Sequence, residues 1–352
     1  MLLYLHVPFC DSKCNYCAFN SFTNLSHIKN IYMSKILEQL KADISLFGAK
    51  KESISSVFIG GGTPSSIDAK LYKEFFDFIY PYLTKNAEIT TEANPNSANL
   101  NWLKTMRDFG VNRMSFGVQS FHEAKLNFLG RKHTRDEAIQ AVLNAQKVGF
   151  ENISIDLIYE TALDSKKLLF DDMKIASNLP INHISAYSLT IEKNTQFYKT
   201  PKARKDSMIL TKYLFKTLED FGFKSYEISN FSRAYKCKHN IGYWRYKKYI
   251  GIGSGAVSFD GKNRIYTQNS PKLYIKNPNF KNYEKLSDED IVMEKIFLGF
   301  RSFTGVQRKI LPPNMDKKVN ILLENKKLIL KKDKLYNPNF FLADEIALFL
   351  TS

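Results

Sequence analysis

Six short β-rich segments alternate with amphipathic helices along the first 225 residues, and this alternation restricts the chain to an α/β fold. The predicted strands cover residues 2–6, 56–59, 88–92, 113–116, 153–157 and 183–187. The helices between them repeat apolar residues with a period near 3.6, as in the run from Ile28 through Ile36 to Ile44. This order predicts parallel strands joined by right-handed crossovers, in a doubly wound sheet or in a complete or partial barrel. In either fold, ligands are expected at the carboxyl ends of the strands.

The chain changes in character after residue 225, which predicts three parts. Residues 1–225 would form the α/β core. Residues 226–280 would form an extension rich in Gly, Tyr and Lys, which looks like an added subdomain centred on residues 249–259. Residues 281–352 would form a small helix-rich C-terminal domain.

The composition is that of a globular chain, because 44% of the residues are hydrophobic and 14% are aromatic, enough for a large core. No apolar run approaches the roughly 18 residues that a membrane-spanning helix needs. The first residues lack the basic start, apolar middle and small-residue cleavage site of a signal peptide. We therefore expect a cytoplasmic protein, with a peripheral position at the inner face of the membrane as the alternative.

Three of the four cysteines lie within eight residues, as Cys10-x3-Cys14-x2-Cys17, directly after the first predicted strand. They are too close and too few for a disulfide framework. Three thiolates on one loop can bind three irons of a cubane and leave the fourth iron without a protein ligand. Zinc is the alternative, but zinc takes four ligands and no second C-x2-C follows, although Cys237 or His239 could complete such a site. The spacing favours the cluster.

Three glycines follow the second predicted strand, in the segment Gly60-Gly61-Gly62-Thr63-Pro64. Glycines at a strand end let the backbone approach a ligand and expose its N–H and C=O groups. The segment is not a phosphate-binding P-loop, because no Lys-Ser/Thr pair follows, and it is not a dinucleotide fingerprint. Alone it could be a tight turn, but after a strand that leads into a cysteine loop it indicates a ligand site.

The cysteine loop, with the aromatic Tyr16 before its third cysteine, and the GGGTP segment together resemble the radical S-adenosyl-L-methionine (SAM) superfamily. The resemblance implies a partial (β/α)6 TIM-like barrel with a C-terminal extension, and a 4Fe-4S cluster on Cys10, Cys14 and Cys17. It also implies that SAM binds the open iron through its amino and carboxylate groups. The reduced cluster would cleave SAM to methionine and a deoxyadenosyl radical.

Five further motifs are similar to the coproporphyrinogen oxidase-like branch of this superfamily: YLHVPFC (4–10), TEANP (91–95), FGVQSF (116–121), LGRKH (129–133) and IDLIY (155–159). The resemblance implies SAM contacts by Tyr4, Gly61, Gly62, Thr63, Glu92, Gln119, Arg131 and Asp156. The carboxylates suit an ammonium group or ribose hydroxyls, and Arg131 suits the methionine carboxylate. Taken singly, these residues also have ordinary roles as surface ion pairs, caps or core. The branch commonly continues into a Gly-Leu-Pro loop, but here Tyr159 is followed by Glu160-Thr161-Ala162, so the shape of this loop is not implied.

The branch contains oxygen-independent coproporphyrinogen III oxidases and heme chaperones, and two features disfavour the oxidase. The oxidase has a fourth cysteine, as C-x3-C-x2-C-x-C, where this chain has Phe19. It also has a long segment before the cluster motif, where this chain has nine residues. A third feature, H-N-x-x-Y-W from His239 to Trp244, resembles the HemW family of heme chaperones, in which this motif is associated with heme binding.

The resemblance implies a set of candidate heme contacts: His239, Cys237, Asn240, Tyr243 and Trp244. An imidazole or a thiolate can be an axial ligand, and aromatic rings can pack on a porphyrin face. Nearby bases, which are Lys236, Lys238 and Arg245, would favour the heme propionates. The alternative is that the first residues form a hydrogen-bonded turn and the aromatic ones belong to the core, and the sequence leaves both open.

The net charge of +16 suggests a nucleic-acid-binding or nucleic-acid-modifying protein. The lysines, however, are dispersed over most predicted helices and do not form one stripe with Arg and aromatic residues. We therefore expect a solvated basic face, or attraction to an anionic membrane surface, and do not expect a nucleic-acid partner.

These features predict a heme chaperone with a 4Fe-4S cluster, SAM and heme as bound groups. Its expected partners are acceptor hemoproteins, among them membrane-associated respiratory proteins, and an electron donor for the cluster. The alternative is a radical SAM oxidative decarboxylase of the coproporphyrinogen III oxidase type. No catalytic residue is assigned, and the sequence leaves open whether SAM is cleaved.

Overall fold

A twelve-stranded sheet forms the body of the molecule in the computed structural model, which describes all 352 residues. Six parallel strands lie side by side in sequence order: β1 (Leu2–Val7), β2 (Ile54–Gly61), β3 (Leu83–Ala93), β4 (Arg113–Gln119), β5 (Asn152–Tyr159) and β6 (His183–Ser188). A doubly wound sheet would reverse its strand order at a switch point, and this order does not reverse. The six strands therefore form the wall of a partial barrel, as expected, and further strands extend it on both sides.

Helices join the six strands and complete the predicted βα units: α1 (Lys29–Leu46), α2 (Lys73–Ile79), α3 (Leu100–Asp108), α4 (Glu123–Leu129), α5 (Arg135–Lys147), α6 (Lys166–Asn178) and α7 (Met208–Asp220). Side chains that accept backbone amide bonds start several of them, with Asn99 before α3, Thr134 before α5 and Ser165 before α6. Each predicted strand lies within an observed strand. The six units are therefore confirmed.

Residues after 223 extend the same sheet at both edges. Beyond β6 lie β8 (Asn230–Ser232) and β7 (Lys224–Ser225), and beyond β1 lie β9 (Tyr249–Ile252), β10 (Val257–Phe259), β11 (Asn263–Tyr266) and β12 (Asn282–Lys285). Strand β9 pairs in parallel with β1, and the next three strands are antiparallel. The strands around residues 249–259 therefore belong to the same sheet as the barrel strands, and β9 satisfies the backbone groups on the free edge of β1. Two short helices belong to this region, α8 (Lys238–Trp244) and α9 (Pro271–Lys276).

The C-terminal region has a small core of its own. It contains α10 (Asp288–Phe300), α11 (Asp316–Glu324) and α12 (Ala343–Thr351), with a three-stranded antiparallel sheet of β13 (Val306–Gln307), β15 (Lys334–Tyr336) and β14 (Ile329–Lys331). Eleven buried apolar residues from these elements form one cluster, separate from the 55-residue core of the barrel. The division of the chain at residues 225 and 280 stays a prediction. No helix is both long enough and apolar enough to cross a membrane.

Candidate functional site

A cavity of about 380 Å3 lies at the carboxyl ends of the barrel strands. Its lining includes all three clustered cysteines and seven of the eight predicted SAM contacts: Cys10, Cys14, Cys17, Gly61, Gly62, Thr63, Glu92, Gln119, Arg131 and Asp156. The ends of β2, β3, β4 and β5 contribute these residues, together with the loops that follow β1 and α4. The fold therefore brings together residues that are up to 146 positions apart in the sequence, from Cys10 to Asp156.

The cysteine loop is fastened at both of its ends. The Phe22 N–H donates to the Pro8 carbonyl (2.7 Å) and the Cys10 N–H donates to the Phe22 carbonyl (3.0 Å), so the loop closes on itself. The Asn15 N–H donates to the Leu129 carbonyl at the end of α4 (3.0 Å). All three thiols of the loop are partly exposed, and they line the cavity.

Two of the thiols already accept hydrogen bonds from cavity residues. The Thr63 hydroxyl donates to Cys10 Sγ (3.4 Å) and Arg131 Nη1 donates to Cys14 Sγ (3.3 Å). Burial raises the pKa of the Cys10 thiol, and hydrogen bonds from Thr63 and Ser21 oppose this rise. Donors of this kind stabilise sulfur that carries negative charge, which is the state that binds iron.

The glycines of the GGGTP segment are required by close packing. Gly61 has φ +114°, and a Cβ atom there would lie 2.6 Å from the ring of His6. A Cβ atom on Gly62 would lie 2.7 Å from the Phe9 carbonyl oxygen and 3.0 Å from Cys10 Sγ. The second strand can therefore approach the cysteine loop only where side chains are absent.

Two of the carboxyl groups that line the cavity, those of Glu92 and Asp156, have raised pKa values. Glu92 accepts a hydrogen bond from the Gly61 N–H (3.2 Å), and Asp156 accepts one from the Ser115 hydroxyl (3.3 Å). Burial, and then the neighbouring Asp156, raise the pKa of Glu92 to about 8. Burial raises the pKa of Asp156 to about 6, against hydrogen bonds from Ser185 and Ser115. Buried acidic groups of this kind favour a cationic ligand, which would shift Glu92 to its ionised form.

Arg131 lines the cavity and is only partly paired. Its Nη2 atom donates to Asn94 Oδ1 (2.7 Å) and to the Gly117 carbonyl (2.6 Å), and its buried Nε has no partner. Asn94 in turn donates from Nδ2 to the Thr63 hydroxyl (3.1 Å), which links the glycine segment to the arginine. Sequence reasoning did not single out Asn94, although it lies two residues after Glu92 in the TEANP motif.

Tyr4 is the one predicted SAM contact that does not line the cavity. Its hydroxyl forms a hydrogen bond with His6 Nδ1 (2.9 Å), and its ring stacks on Phe58. Because the His6 ring lies against Gly61, Tyr4 is linked to the cavity lining indirectly, through His6. Its contact with SAM stays a prediction.

The loop after β5 turns away from the cavity. Glu160 has φ +62°, and its carboxylate accepts from Thr211 Oγ1 (2.7 Å) and lies 3.4 Å from Arg204 Nη2. Neither Glu160 nor Thr161 or Ala162 lines the cavity. The residues in place of the Gly-Leu-Pro loop therefore contact α7 and the turn that precedes it, through the bonds of Glu160 to Thr211 and Arg204.

The five predicted heme contacts lie near the other end of the barrel wall, in α8 and immediately before it. The helix packs on β2, and Gly242 lies against Leu2. His239 is 1% exposed, with Nδ1 in a hydrogen bond to the Ser56 hydroxyl and Nε2 in one to the Tyr243 hydroxyl, both 2.9 Å. Burial, and then the charge of Arg113, lower the pKa of His239 to about 3, so its ring is neutral.

The remaining heme candidates differ in exposure. Cys237 is 0% exposed, and burial raises the pKa of its thiol to about 12. Asn240, Tyr243 and Trp244 are half-buried. None of the five lines the cavity with the cysteine loop, so neither Cys237 nor His239 is placed to complete a zinc site there. The bases Lys236, Lys238 and Arg245 are exposed around the helix.

Glu88 holds this helix in place, and sequence reasoning missed it. Its carboxylate accepts hydrogen bonds from the N–H groups of Lys238 (2.7 Å) and His239 (2.8 Å) and from the Tyr235 hydroxyl (2.9 Å). An acid about 150 residues away from the helix that it caps leaves no local signal in the sequence. The only available signal was a charged residue within a strand that otherwise reads as buried.

The cavity fits the two groups that its motifs imply. Three thiols on one loop, with the 66%-exposed side chain of Phe19 two residues after the third, suit a cubane that keeps one iron free of protein ligands. The unpartnered Arg131 Nε suits a carboxylate, and the protonatable Glu92 and Asp156 suit an ammonium or sulfonium group. These side chains therefore suit a cluster together with an amino-acid derivative that carries one carboxylate and more than one positive charge.

Comparison with known proteins agrees with this geometry. The radical SAM superfamily profile matches residues 4–162. The chain is 32% identical to the heme chaperone HemW of Bacillus subtilis, over 87% of this chain and 84% of that one. It is also 32% identical to HemW of Escherichia coli, over 90% and 89% of the two chains. HemW of Haemophilus influenzae is 38% identical over 72% and 69%.

A solved structure shares the whole fold. Coproporphyrinogen III oxidase (HemN) of Escherichia coli, a radical SAM enzyme, aligns with a TM-score of 0.83 over 99% of this chain and 89% of that one, at 18% identity. At this identity the likeness concerns the fold alone, whereas the chaperone relatives match in sequence over most of their length. The chain belongs to the HemW heme chaperone family of the radical SAM superfamily.

Proposed function

We propose that the chain binds a 4Fe-4S cluster and SAM in the carboxyl-end cavity, binds heme, and passes that heme to acceptor hemoproteins. One observation carries the proposal: a chain with HemW relatives over most of its length gathers three cysteines and seven candidate SAM contacts around one cavity. We include membrane-associated respiratory hemoproteins among the acceptors, and a separate electron donor for the cluster.

The cavity residues have distinct parts in this proposal. Cys10, Cys14 and Cys17 would hold the cluster, and Arg131 and the Thr63 hydroxyl would stabilise its sulfur ligands. When bound, these groups would together supply the chemistry of electron transfer to a sulfonium and its reductive cleavage. Glu92 would give up its proton when a cationic group arrives, because that charge offsets the burial that raises its pKa.

The heme-binding part of the proposal rests on α8. His239 is neutral, and neutral imidazole is the form that ligates iron. Tyr243 and Trp244 would provide aromatic contacts to the porphyrin, and Asn240 lies on the same helix. The exposed Lys236, Lys238 and Arg245 would pair with the two propionates. Cys237 is the alternative axial ligand.

An anaerobic heme titration tests the proposal. Cluster-reconstituted protein is titrated with ferrous heme while the Soret band is followed, and the loaded protein is then mixed with apomyoglobin as a generic acceptor. We expect saturable binding near one heme per chain and a second Soret shift as heme moves to the acceptor. His239→Ala is expected to weaken binding, and His27→Ala, at an exposed histidine far from α8 in sequence, is the matched control.

Two results would contradict the proposal. Absence of saturable heme binding would reject the chaperone function. Conversion of coproporphyrinogen III to its decarboxylated product, with SAM and a reductant present, would favour the oxidase alternative, whose fold this chain shares.

A further inference from the structure

We propose that α8 acts as a latch: in its closed position it keeps its own heme ligand, His239, buried against the barrel. Heme binds only when this helix moves away from Glu88 and Ser56. This rests on the proposed function, since it takes His239 as the ligand. In the closed arrangement iron cannot reach the imidazole, because Ser56 occupies Nδ1, Tyr243 occupies Nε2, and the residue is 1% exposed. Ligation requires one of these two hydrogen bonds to break.

The latch is held mainly by one buried carboxylate. Glu88 accepts two backbone amides at the start of α8 and the Tyr235 hydroxyl, and the Cys237 thiol lies 3.5 Å from it. Hydrogen bonds to a charged acceptor are stronger than neutral ones. A helix of seven residues is too short to be stable without such tertiary contacts. Loss of the bonds to Glu88 would therefore free the helix as a unit.

The residues left behind can tolerate the open state. Arg113, at the start of β4, is 2% exposed, and its charge interacts with that of Glu88. Its Nη2 atom contacts His183 Nδ1 (3.3 Å), and its Nε has no hydrogen-bond partner. A buried carboxylate that lost its amide donors would still be attracted by the charge of this guanidinium, which lowers the cost of opening.

The C-terminal region lies over the latch. Helix α10 packs on α8, and Tyr246, two residues after the end of α8, donates to Glu294 Oε2 (2.6 Å). The Lys295 ammonium lies 5.3 Å from the Tyr246 ring. An acceptor that displaces α10 would therefore act directly on the helix that carries the ligand, which gives a physical route from acceptor contact to the open or closed state of α8.

The rate of heme association tests the latch. Stopped-flow mixing of ferrous heme with cluster-reconstituted protein is done for the wild type, for Glu88→Gln and for Tyr243→Phe, which frees Nε2 of His239 and keeps the ring. We expect both variants to bind heme at least about fivefold faster, since Glu88→Gln weakens the hydrogen bonds that hold α8 and Tyr243→Phe removes the bond to Nε2 of His239. The exposed Tyr266–Glu284 hydrogen bond supplies matched controls, Glu284→Gln and Tyr266→Phe, for which the rate stays at the wild-type value.

Alkylation provides a second reading that does not depend on heme. Iodoacetamide labelling of Cys237, mapped by peptide mass spectrometry, reports opening of α8, because this thiol is 0% exposed in the closed form. We expect faster labelling in Glu88→Gln than in Glu284→Gln. If Glu88→Gln does not fold, Tyr243→Phe alone carries the kinetic test.

The outcomes separate the latch from the function. Equal association rates in wild type and both latch variants would overturn the latch. Heme binding that His239→Ala leaves unchanged would also overturn it, while the chaperone function would stand. Absence of heme binding in every variant would reject the proposed function, and the latch with it.

Discussion

The two ends of the barrel contain the same kinds of side chain and use them in opposite ways. At the carboxyl end, Glu92 has one amide donor and a raised pKa, and three thiols are partly exposed. At the other end, Glu88 on the same strand has three close donors, and the thiol of Cys237 is fully buried. The two ends therefore differ in how many of their polar groups already have hydrogen-bond partners, and not in residue type. Groups without partners leave the carboxyl end open to a ligand, and paired groups keep the other end closed.

This difference makes the two ends respond differently to the same substitution. Removal of a side chain at the open end should change what the protein binds and leave its folding intact. Removal of the matching side chain at the closed end should change stability and the mobility of α8. The paired variants below test this contrast directly.

The largest effect is expected for the cysteines. Cys14→Ala should abolish the broad iron–sulfur absorbance of anaerobically reconstituted protein, because a cubane needs all three thiolates of the loop. Cys237→Ala should keep the full iron content, since this thiol lies outside the cavity. Iron analysis and the visible spectrum measure both. Retention of about four irons per chain in Cys14→Ala would break the cluster assignment and the contrast with it.

The two glutamates of β3 give the next largest effect. Glu88→Gln should lower the free energy of unfolding by about 2–3 kcal/mol, because buried amide and hydroxyl donors lose a charged acceptor. Glu92→Gln should not lower the free energy of unfolding, since burial makes the ionised form of Glu92 unfavourable in this site. Urea unfolding at pH 8 measures the pair. A larger loss in Glu92→Gln than in Glu88→Gln would reverse the assignment of the two ends.

The sequence predicted which residues meet at the open end, because the signals for that end are local. Each signal is contained in a few consecutive residues: the cysteine spacing, the three glycines and the polar residues at strand ends. Parallel strands then bring their carboxyl ends together. The six strands were predictable for the same reason, as short β-rich runs bounded by turn residues or charges.

The closed end was not predictable because its contacts are between distant residues. The pairing of β9 with β1 joins residues about 247 positions apart, such as Leu2 and Tyr249, and nothing in either segment specifies the other. Likewise, the H-N-x-x-Y-W motif predicted a ligand set, but the hydrogen bonds that hold the buried His239 come from Ser56 on β2 and Glu88 on β3. Whether a motif is open or closed is a property of the packed fold.

A smaller effect is expected for SAM affinity. Glu92→Gln and Arg131→Ala should each weaken SAM binding by about 10- to 100-fold, the range for a charge-assisted hydrogen bond in a partly buried site. Equilibrium dialysis with labelled SAM measures the affinity of reconstituted protein. Glu88→Gln is the control and should bind SAM within about twofold of the wild type, because it lies outside the cavity. Unchanged affinity in Glu92→Gln and Arg131→Ala would remove both residues from the SAM site.

The smallest effect is a pH dependence of SAM binding that only the open end should show. Without a cation, Glu92 has a pKa of about 8 and is mostly protonated at pH 7. A cationic ligand favours the ionised form, so binding releases a proton and affinity rises with pH until the carboxyl group is already ionised, above about pH 8. Asp156, with a pKa of about 6, is largely ionised across this window and adds little. The dissociation constant should therefore fall several-fold from pH 6.5 to pH 8.5, with a ceiling of about tenfold per pH unit.

Calorimetry in two buffers of different ionisation enthalpy counts the released proton. Glu92→Gln should remove both the proton release and the slope, and a wild-type affinity that is flat across this range would show that no cation meets Glu92.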